Sequence, residues 1–139
     1  MRLLDTSVVV TALTLEPRSR AIAGWIADHA GALCVSAWLE PEFSAALAAK
    51  QRIGEIDARV RLSTLRLFDD MQDVVFVVAD VDRSDFEEAA RLCDDLALAL
   101  RAPDALHLAV ALRLKLDLAT LDKKQARAAE LLGITVEMP

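Results

Sequence analysis

Two aspartates stand directly after short apolar segments, where parallel α/β sheets usually place their chemistry. Asp5 follows the segment 2–4, and Asp122 follows the segment 116–121. Both segments have the length and composition of buried strands. Ligands of such sheets collect beyond the carboxyl ends of the strands. We therefore expect both carboxylates at the same edge of one sheet.

Two further acids are expected at that edge because of the helices that carry them. Glu42 lies in the first turns of a predicted helix that follows the strand 32–36. Asp104 begins a helix over 105–114 that leads into the strand 116–121. A crossover helix runs antiparallel to the strand it feeds, so its amino terminus also lies near the carboxyl edge.

Four converging carboxylates repel one another, and each raises the pKa of its neighbours. A hard divalent cation relieves this repulsion, and Mg²⁺ prefers oxygen ligands while keeping several waters. Mn²⁺ accepts the same ligands. Such an ion can polarise a phosphoryl oxygen and activate water. Taken singly, Asp5, Asp104 and Asp122 could each be an ordinary helix cap. Glu42 could be a solvated charge, with Glu40 as its rival.

Hydroxyl side chains lie beside two of the acids. Thr6 and Ser7 follow Asp5, and Thr120 precedes Asp122 by two residues. We expect Thr6 or Ser7, together with Thr120, to donate hydrogen bonds to the carboxylates and orient them.

Predicted strands and helices alternate along the chain. The predicted strands are 2–4, 32–36, 74–79, 116–121 and 134–137. The predicted helices are 18–29, 41–50, 57–71, 84–98, 105–114 and 123–132. The β-branched run 8–13 fits either a strand or a helix that Thr6 and Ser7 would cap. The strand 74–79 is too apolar for an exposed sheet face, and Ser84 with Glu87 predicts a capping box. This order predicts an α/β fold, a single domain over residues 1–139 with a mostly parallel sheet between helices.

Composition limits the classes of function. The chain has 139 residues, is 55% hydrophobic and carries a net charge of −6. The apolar excess suggests a buried oligomeric face, and the negative charge argues against tight sequence-independent nucleic-acid binding. Cys34 and Cys93 form no metal-binding spacing, so we expect reduced thiols. No stretch reaches the ~18–20 apolar residues of a membrane span, and no leader pattern is present. We expect a soluble, cytoplasmic protein.

Four segments resemble the motifs of PIN-domain nucleases. Leu-Leu-Asp-Thr-Ser at 3–7 is similar to their opening motif, and 36–47 resembles the second motif, with Glu42 as its acid. Pro-Asp-Ala-Leu-His-Leu-Ala-Val-Ala at 103–111 is the most specific match. Leu-Ala-Thr-Leu-Asp at 118–122 resembles the closing motif. The resemblance covers essentially the whole chain, and it is closest to the VapC-type toxins of bacterial toxin–antitoxin pairs.

The resemblance implies a three-layer sandwich and a Mg²⁺-dependent endoribonuclease in which Mn²⁺ can substitute. Asp5, Asp104 and Asp122 would hold the metal ion, and Glu42 would complete the catalytic set. The substrate would be single-stranded or structured RNA, cut by metal-activated water. VapC-type members are usually homodimers that a cognate antitoxin holds inactive.

Other functions remain open at this point. The chain could be an RNA-processing PIN nuclease that is not a toxin, or a PIN-fold interaction module without activity. A receiver-like phosphoacceptor would need an early acidic pair, whereas Asp5 stands alone. His107, three residues after Asp104, is expected to be structural and to bond backbone or a neighbouring acid rather than to act as a base.

Surface contacts are less readable from the sequence. The basic residues that are candidates for RNA contact are Arg18, Arg20, Lys50, Arg52, Arg101, Lys123, Lys124 and Arg127. Apolar residues on two consecutive helices could form an antitoxin groove or could simply be core: Trp38, Phe43, Leu47, Leu62, Leu65 and Phe68.

Overall fold

A five-stranded parallel sheet forms the centre of the computed structural model, which describes all residues from Met1 to Pro139. The strands are β1 (Arg2–Leu4), β2 (Leu33–Ser36), β3 (Val77–Ala79), β4 (Asp117–Ala119) and β5 (Val136–Glu137). Their order across the sheet is β3-β2-β1-β4-β5. In the register, Leu3 pairs with Cys34 on one side and with Leu118 on the other. The parallel sheet confirms the predicted fold class.

Seven helices cover the sheet. They are α1 (Thr6–Leu13), α2 (Ser19–Asp28), α3 (Leu39–Arg52), α4 (Ala58–Val74), α5 (Arg83–Asp94), α6 (Ala102–Leu114) and α7 (Lys123–Leu131). Alternate strand residues point to opposite faces, so Leu4 packs with apolar residues of α1 to α4 and Leu3 packs with those of α5 to α7. The result is a three-layer sandwich with two cores.

Helix α6 lies deepest in the molecule. All seven residues from Ala105 to Ala111 are buried, including His107. A helix that is apolar all round belongs in the interior, which explains the lack of an exposed polar face along this stretch. Lys115 caps the helix in the left-handed conformation, at φ 54°.

Three local predictions were wrong. The strand predicted over 74–79 begins only at Val77, because α4 continues to Val74. β3 is an edge strand, and its Val77 and Val78 are 49% and 42% exposed rather than buried. The capping box lies at Asp82 and Asp85 rather than at Ser84 and Glu87, so α5 starts at Arg83.

The helix predicted over 84–98 ends four residues early, at Asp94. The proposed antitoxin groove is corrected in part as well. Phe43, Leu47 and Phe68 are core residues, exposed by no more than 3%, so they are not available to a partner. Leu62 is 54% exposed. Cys34 and Cys93 are free thiols.

An ion pair joins the two helices that make the most extensive helix–helix contact, α5 and α6. Arg113 Nε and Nη2 donate to Asp85 Oδ1 and Oδ2 at 2.7 and 2.8 Å. Arg113 also donates to the Asp80 carbonyl at 2.8 Å. The Asp85 side chain is almost fully buried. No helix in the structure is both long enough and apolar enough to cross a membrane.

Candidate active site

Asp5 ends the central strand and is the most firmly held of the four acids. Its Oδ2 accepts hydrogen bonds from Ser7 N (3.0 Å), Ser7 Oγ (2.5 Å) and Thr120 Oγ1 (3.2 Å). It also acts as the N-cap of α1, a role predicted for Thr6 or Ser7. Gln125 Nε2 donates to the other oxygen, Oδ1, at 3.2 Å. A carboxylate with this many donors has one fixed orientation.

Asp104 lies near enough to Asp5 and Asp122 for their charges to act on it. Burial raises the pKa of Asp104; Arg101 opposes this rise, while the negative charges of Asp5 and Asp122 add to it. Arg101 Nε lies 3.3 Å from Asp104 Oδ2. Asp122 caps α7, and its Oδ1 accepts from the backbone nitrogens of Lys124 (2.7 Å) and Gln125 (3.2 Å). These three aspartates therefore interact electrostatically, as their predicted positions require.

Glu42, the fourth of the predicted acids, is paired with the buried His107. Its Oε2 accepts from Thr6 Oγ1 at 2.5 Å and lies 2.6 Å from His107 Nε2. His107 Nδ1 lies 3.3 Å from Ser36 Oγ, and Nε2 lies 3.8 Å from Asp5 Oδ1. His107 thus bonds a neighbouring acid, as the sequence analysis expected.

Charge is balanced within this pair. Burial opposes protonation of His107, but its hydrogen bond to Glu42 and the charges of Asp5, Glu42 and Asp104 raise its pKa overall. Burial also disfavours the Glu42 carboxylate, yet His107 and Thr6 hold the pKa of Glu42 below its usual range. Both shifts favour the charged forms, an imidazolium beside a carboxylate.

The structure distinguishes Glu42 from Glu40. Glu40 is exposed on the first turn of α3, whereas Glu42 points inward to Thr6 and His107. Pro41 fits within the same turn. The hydroxyl groups lie where they were expected, with Thr6 on Glu42 and with Ser7 and Thr120 on Asp5.

Sequence reasoning missed two contributors, Gln125 and Ser36. Both are 1% exposed. Gln125 Oε1 is buried without a hydrogen-bond partner, while its Nε2 fixes Asp5. Gln125 shares a face of α7 with the buried Ala128 and Ala129. A glutamine on the apolar face of a helix is expected to point inward, so the sequence pattern of α7 could have indicated Gln125.

The arrangement of free carboxylate oxygens suits a hydrated cation. On Glu42, Asp104 and Asp122, every hydrogen bond from the protein falls on one oxygen and leaves the other available. No group of three or more His, Cys, Asp or Glu side chains is close enough to enclose an ion directly. Mg²⁺ often keeps several waters and uses only one or two carboxylates. The residues therefore fit an ion held partly through water.

The chain belongs to the PIN domain family, since the family profile matches residues 2–131. PIN domains are generally nucleases that use divalent metal ions. A comparison with curated protein sequences found no match.

Solved structures with the same fold include several bacterial proteins. FitAcB from Neisseria gonorrhoeae is 21% identical, with a TM-score of 0.72 over 100% of this chain and 98% of that one. A toxin–antitoxin complex from Klebsiella pneumoniae is 17% identical, with a TM-score of 0.70 over 100% and 98%. VapBC-5 from Mycobacterium tuberculosis, of the VapBC family of toxin–antitoxin systems, is 19% identical, with a TM-score of 0.56 over 98% and 94%. At these identities, the likeness shows the fold.

Proposed function

We propose that this protein is a Mg²⁺-dependent endoribonuclease and the toxin of a toxin–antitoxin pair. The observation that carries the nuclease proposal is the Asp5 carboxylate, held by three donors on one oxygen beside Asp104 and Asp122. Structural relatives described as toxin–antitoxin proteins support the toxin role. We also propose a homodimer, a cytoplasmic location and a cognate antitoxin, all supported by the same resemblance.

The four acids have two roles in this proposal. Asp5, Asp104 and Asp122 bind the cation, which when bound lowers the pKa of water and neutralises charge on the phosphate. Ser7, Thr120 and Gln125 keep the Asp5 carboxylate in one orientation. Glu42, oriented by His107 and Thr6, presents its second oxygen as an acceptor for the attacking water.

The test is cleavage of a defined RNA pool in Mg²⁺, followed by mapping of the new ends. Asp104→Asn and Glu42→Gln should each reduce cleavage by at least about 100-fold, because the first removes a ligand of the cation and the second removes the acceptor for the attacking water. Matched controls are Asp69→Asn on the exposed face of α4 and Glu40→Gln, two residues from Glu42. Undiminished cleavage by Asp104→Asn would contradict the assignment.

The toxin role needs a separate experiment in cells. Expression of the wild-type chain alone should arrest growth, whereas Asp104→Asn should not. Co-expression of the small open reading frame beside its gene should relieve the arrest. Harmless expression of a protein that cuts RNA in vitro would instead indicate an RNA-processing nuclease, and a folded protein that cuts nothing would indicate an interaction module.

A further inference from the structure

An open cleft of about 510 Å³ adjoins two of the catalytic aspartates. The loop before α6 and the start of α7 form its walls, and Asp104 and Asp122 lie in its lining. Three cationic side chains also line it: Arg101, Lys123 and Lys124. Its volume lies within the range of about 300–1,000 Å³ found for small-ligand sites. The cleft thus brings positive charge beside the acids in a protein of net charge −6.

These cations are available to a ligand, unlike Lys50 and Arg18 elsewhere in the chain. Lys50 is held by Glu16 at 3.1 Å and by Glu55 at 2.9 Å, and Arg18 donates to the carbonyl of Pro139. Lys123 and Lys124 are exposed, and neither makes an ion pair in the structure. Arg101 contacts only Asp104, and 79% of its side chain is exposed.

The opposite side of the site has the reverse charge. The first turn of α3 carries the exposed Glu40 and no basic residue, while Glu42 in the same turn is paired with His107. An anionic chain that crosses the carboxylates is therefore attracted on the α6–α7 side and repelled on the α3 side. This asymmetry favours binding of a polyanion on the α6–α7 side of the carboxylates, in the cleft, over binding on the α3 side.

We propose that this cleft binds the sugar–phosphate backbone of an RNA strand next to the phosphate that is cut, an inference that rests on the proposed function. Lys123 and Lys124 contact phosphates, and Arg101 exchanges its contact with Asp104 for one with the strand. The remaining walls include Leu100 and Leu121 but no aromatic side chain on which a base could stack. Contacts to phosphate carry no sequence information, so this cleft holds strands of different sequence alike.

The test compares two doubly substituted proteins with the same change in net charge. Lys123→Gln/Lys124→Gln removes two of the three cleft cations. Arg59→Gln/Arg66→Gln removes two exposed cations of α4, which packs on α3 and α1. All proteins carry Asp5→Asn, which keeps a capping side chain, so that RNA is not cut. Binding of a labelled single-stranded RNA of mixed sequence is measured against salt concentration.

The cleft substitutions should weaken binding at low salt by about 10-fold or more. They should also reduce the slope of log affinity against log salt by about 1.4, since each phosphate contact on a single strand contributes about 0.7. The α4 substitutions should leave both quantities at the parent value. Equal affinity and slope for the two doubly substituted proteins would overturn the proposal.

Two further arms separate this inference from its alternatives. Displacement of RNA by poly-glutamate as effectively as by unlabelled RNA of the same charge would overturn it in favour of an acidic protein partner. Cleavage by the protein with Asp5 intact tests the proposed function independently. RNA binding that depends on the lysines, without cleavage, would support the cleft as an RNA site and contradict the proposed nuclease activity. Cleavage that is unchanged by the lysine substitutions would support the nuclease activity and contradict the cleft as an RNA site.

Discussion

His107 shows how a single buried residue organises the site. Its ring is 1% exposed and lies between Glu42 and Ser36. A charged pair in the interior is stable only when both partners and their remaining hydrogen bonds are present. Thr6 and Ser36 complete those bonds. The histidine therefore holds the Glu42 carboxylate in place from the buried side of the site.

Removal of this histidine should cost stability as well as activity. His107→Leu leaves Glu42 partly buried without its cation, so we expect a loss of about 3 kcal/mol in the free energy of unfolding. Urea unfolding at pH 7 measures it. The matched control is His29→Leu, on the other histidine, which stacks on Trp25 at a centroid distance of 4.5 Å near the surface.

A double-mutant cycle shows whether the effect belongs to the pair. Glu42→Leu with His107→Leu should cost at least about 1 kcal/mol less than the sum of the single changes, because no charge is then left unpaired. Additive costs would mean that His107 stabilises α6 independently of Glu42.

Residue types alone predicted part of this site. Asp5 and Asp122 follow strands, and Asp104 starts a crossover helix, so topology brings them together without knowledge of any side-chain contact. The partners of Gln125 and Ser36 could not be read in the same way, because each bonds a residue more than 70 positions away. Only tertiary packing determines which buried polar groups meet.

At the scale of elements, the ion pair of Asp85 with Arg113 links α5 to α6. Asp85 is buried, and burial opposes its charge, but the hydrogen bonds from Arg113 hold the pKa of Asp85 below its usual range. A carboxyl group whose pKa is lower in the folded chain stabilises the protein above its unfolded pKa. That stability is lost as the pH falls through the folded value.

We therefore expect Asp85→Asn to destabilise the protein at pH 7 and to flatten its acid response. The unfolded pKa of Asp is about 3.9, so wild-type stability should begin to fall near pH 4, and the variant should lose less from there downward. Urea unfolding between pH 7 and pH 3 gives both curves. Asp70→Asn, on the exposed face of α4, should follow the wild type. Parallel curves for Asp85→Asn and wild type would contradict this account.

Element type was easier to predict than element position. The apolar run before Ala79 reads as a buried strand, yet most of it belongs to the end of α4 or to an exposed edge. Hydrophobicity cannot tell an edge strand from a central one, because the difference lies in which strands pair beside it. The capping box was predicted at the wrong residues because Asp82, Ser84 and Asp85 are all capping candidates near the same helix start.

For the whole molecule, the concentration of negative charge predicts a response to divalent cations. An ion that binds only the folded chain stabilises it by about 2.7 kcal/mol at 100 times its dissociation constant. Mg²⁺ or Mn²⁺ should therefore raise the urea midpoint, and Asp104→Asn should reduce that rise, while Asp69→Asn should not. NaCl at equal ionic strength is the control for screening. An equal rise of the urea midpoint in the wild type, Asp104→Asn and Asp69→Asn would mean that the ion binds elsewhere.

The order of strands in the sheet also determines at what stage of chain synthesis the site can form. β1 lies at the centre, yet its partner β4 comes 115 residues later, as the pairing of Arg2 with Asp117 shows. Contacts of such long sequence separation form slowly and late. Asp5 is translated before Thr120 and Gln125 and can bond them only when the chain has been made as far as residue 125. A chain interrupted before residue 120 therefore lacks the bonds that hold the Asp5 carboxylate to β4 and α7.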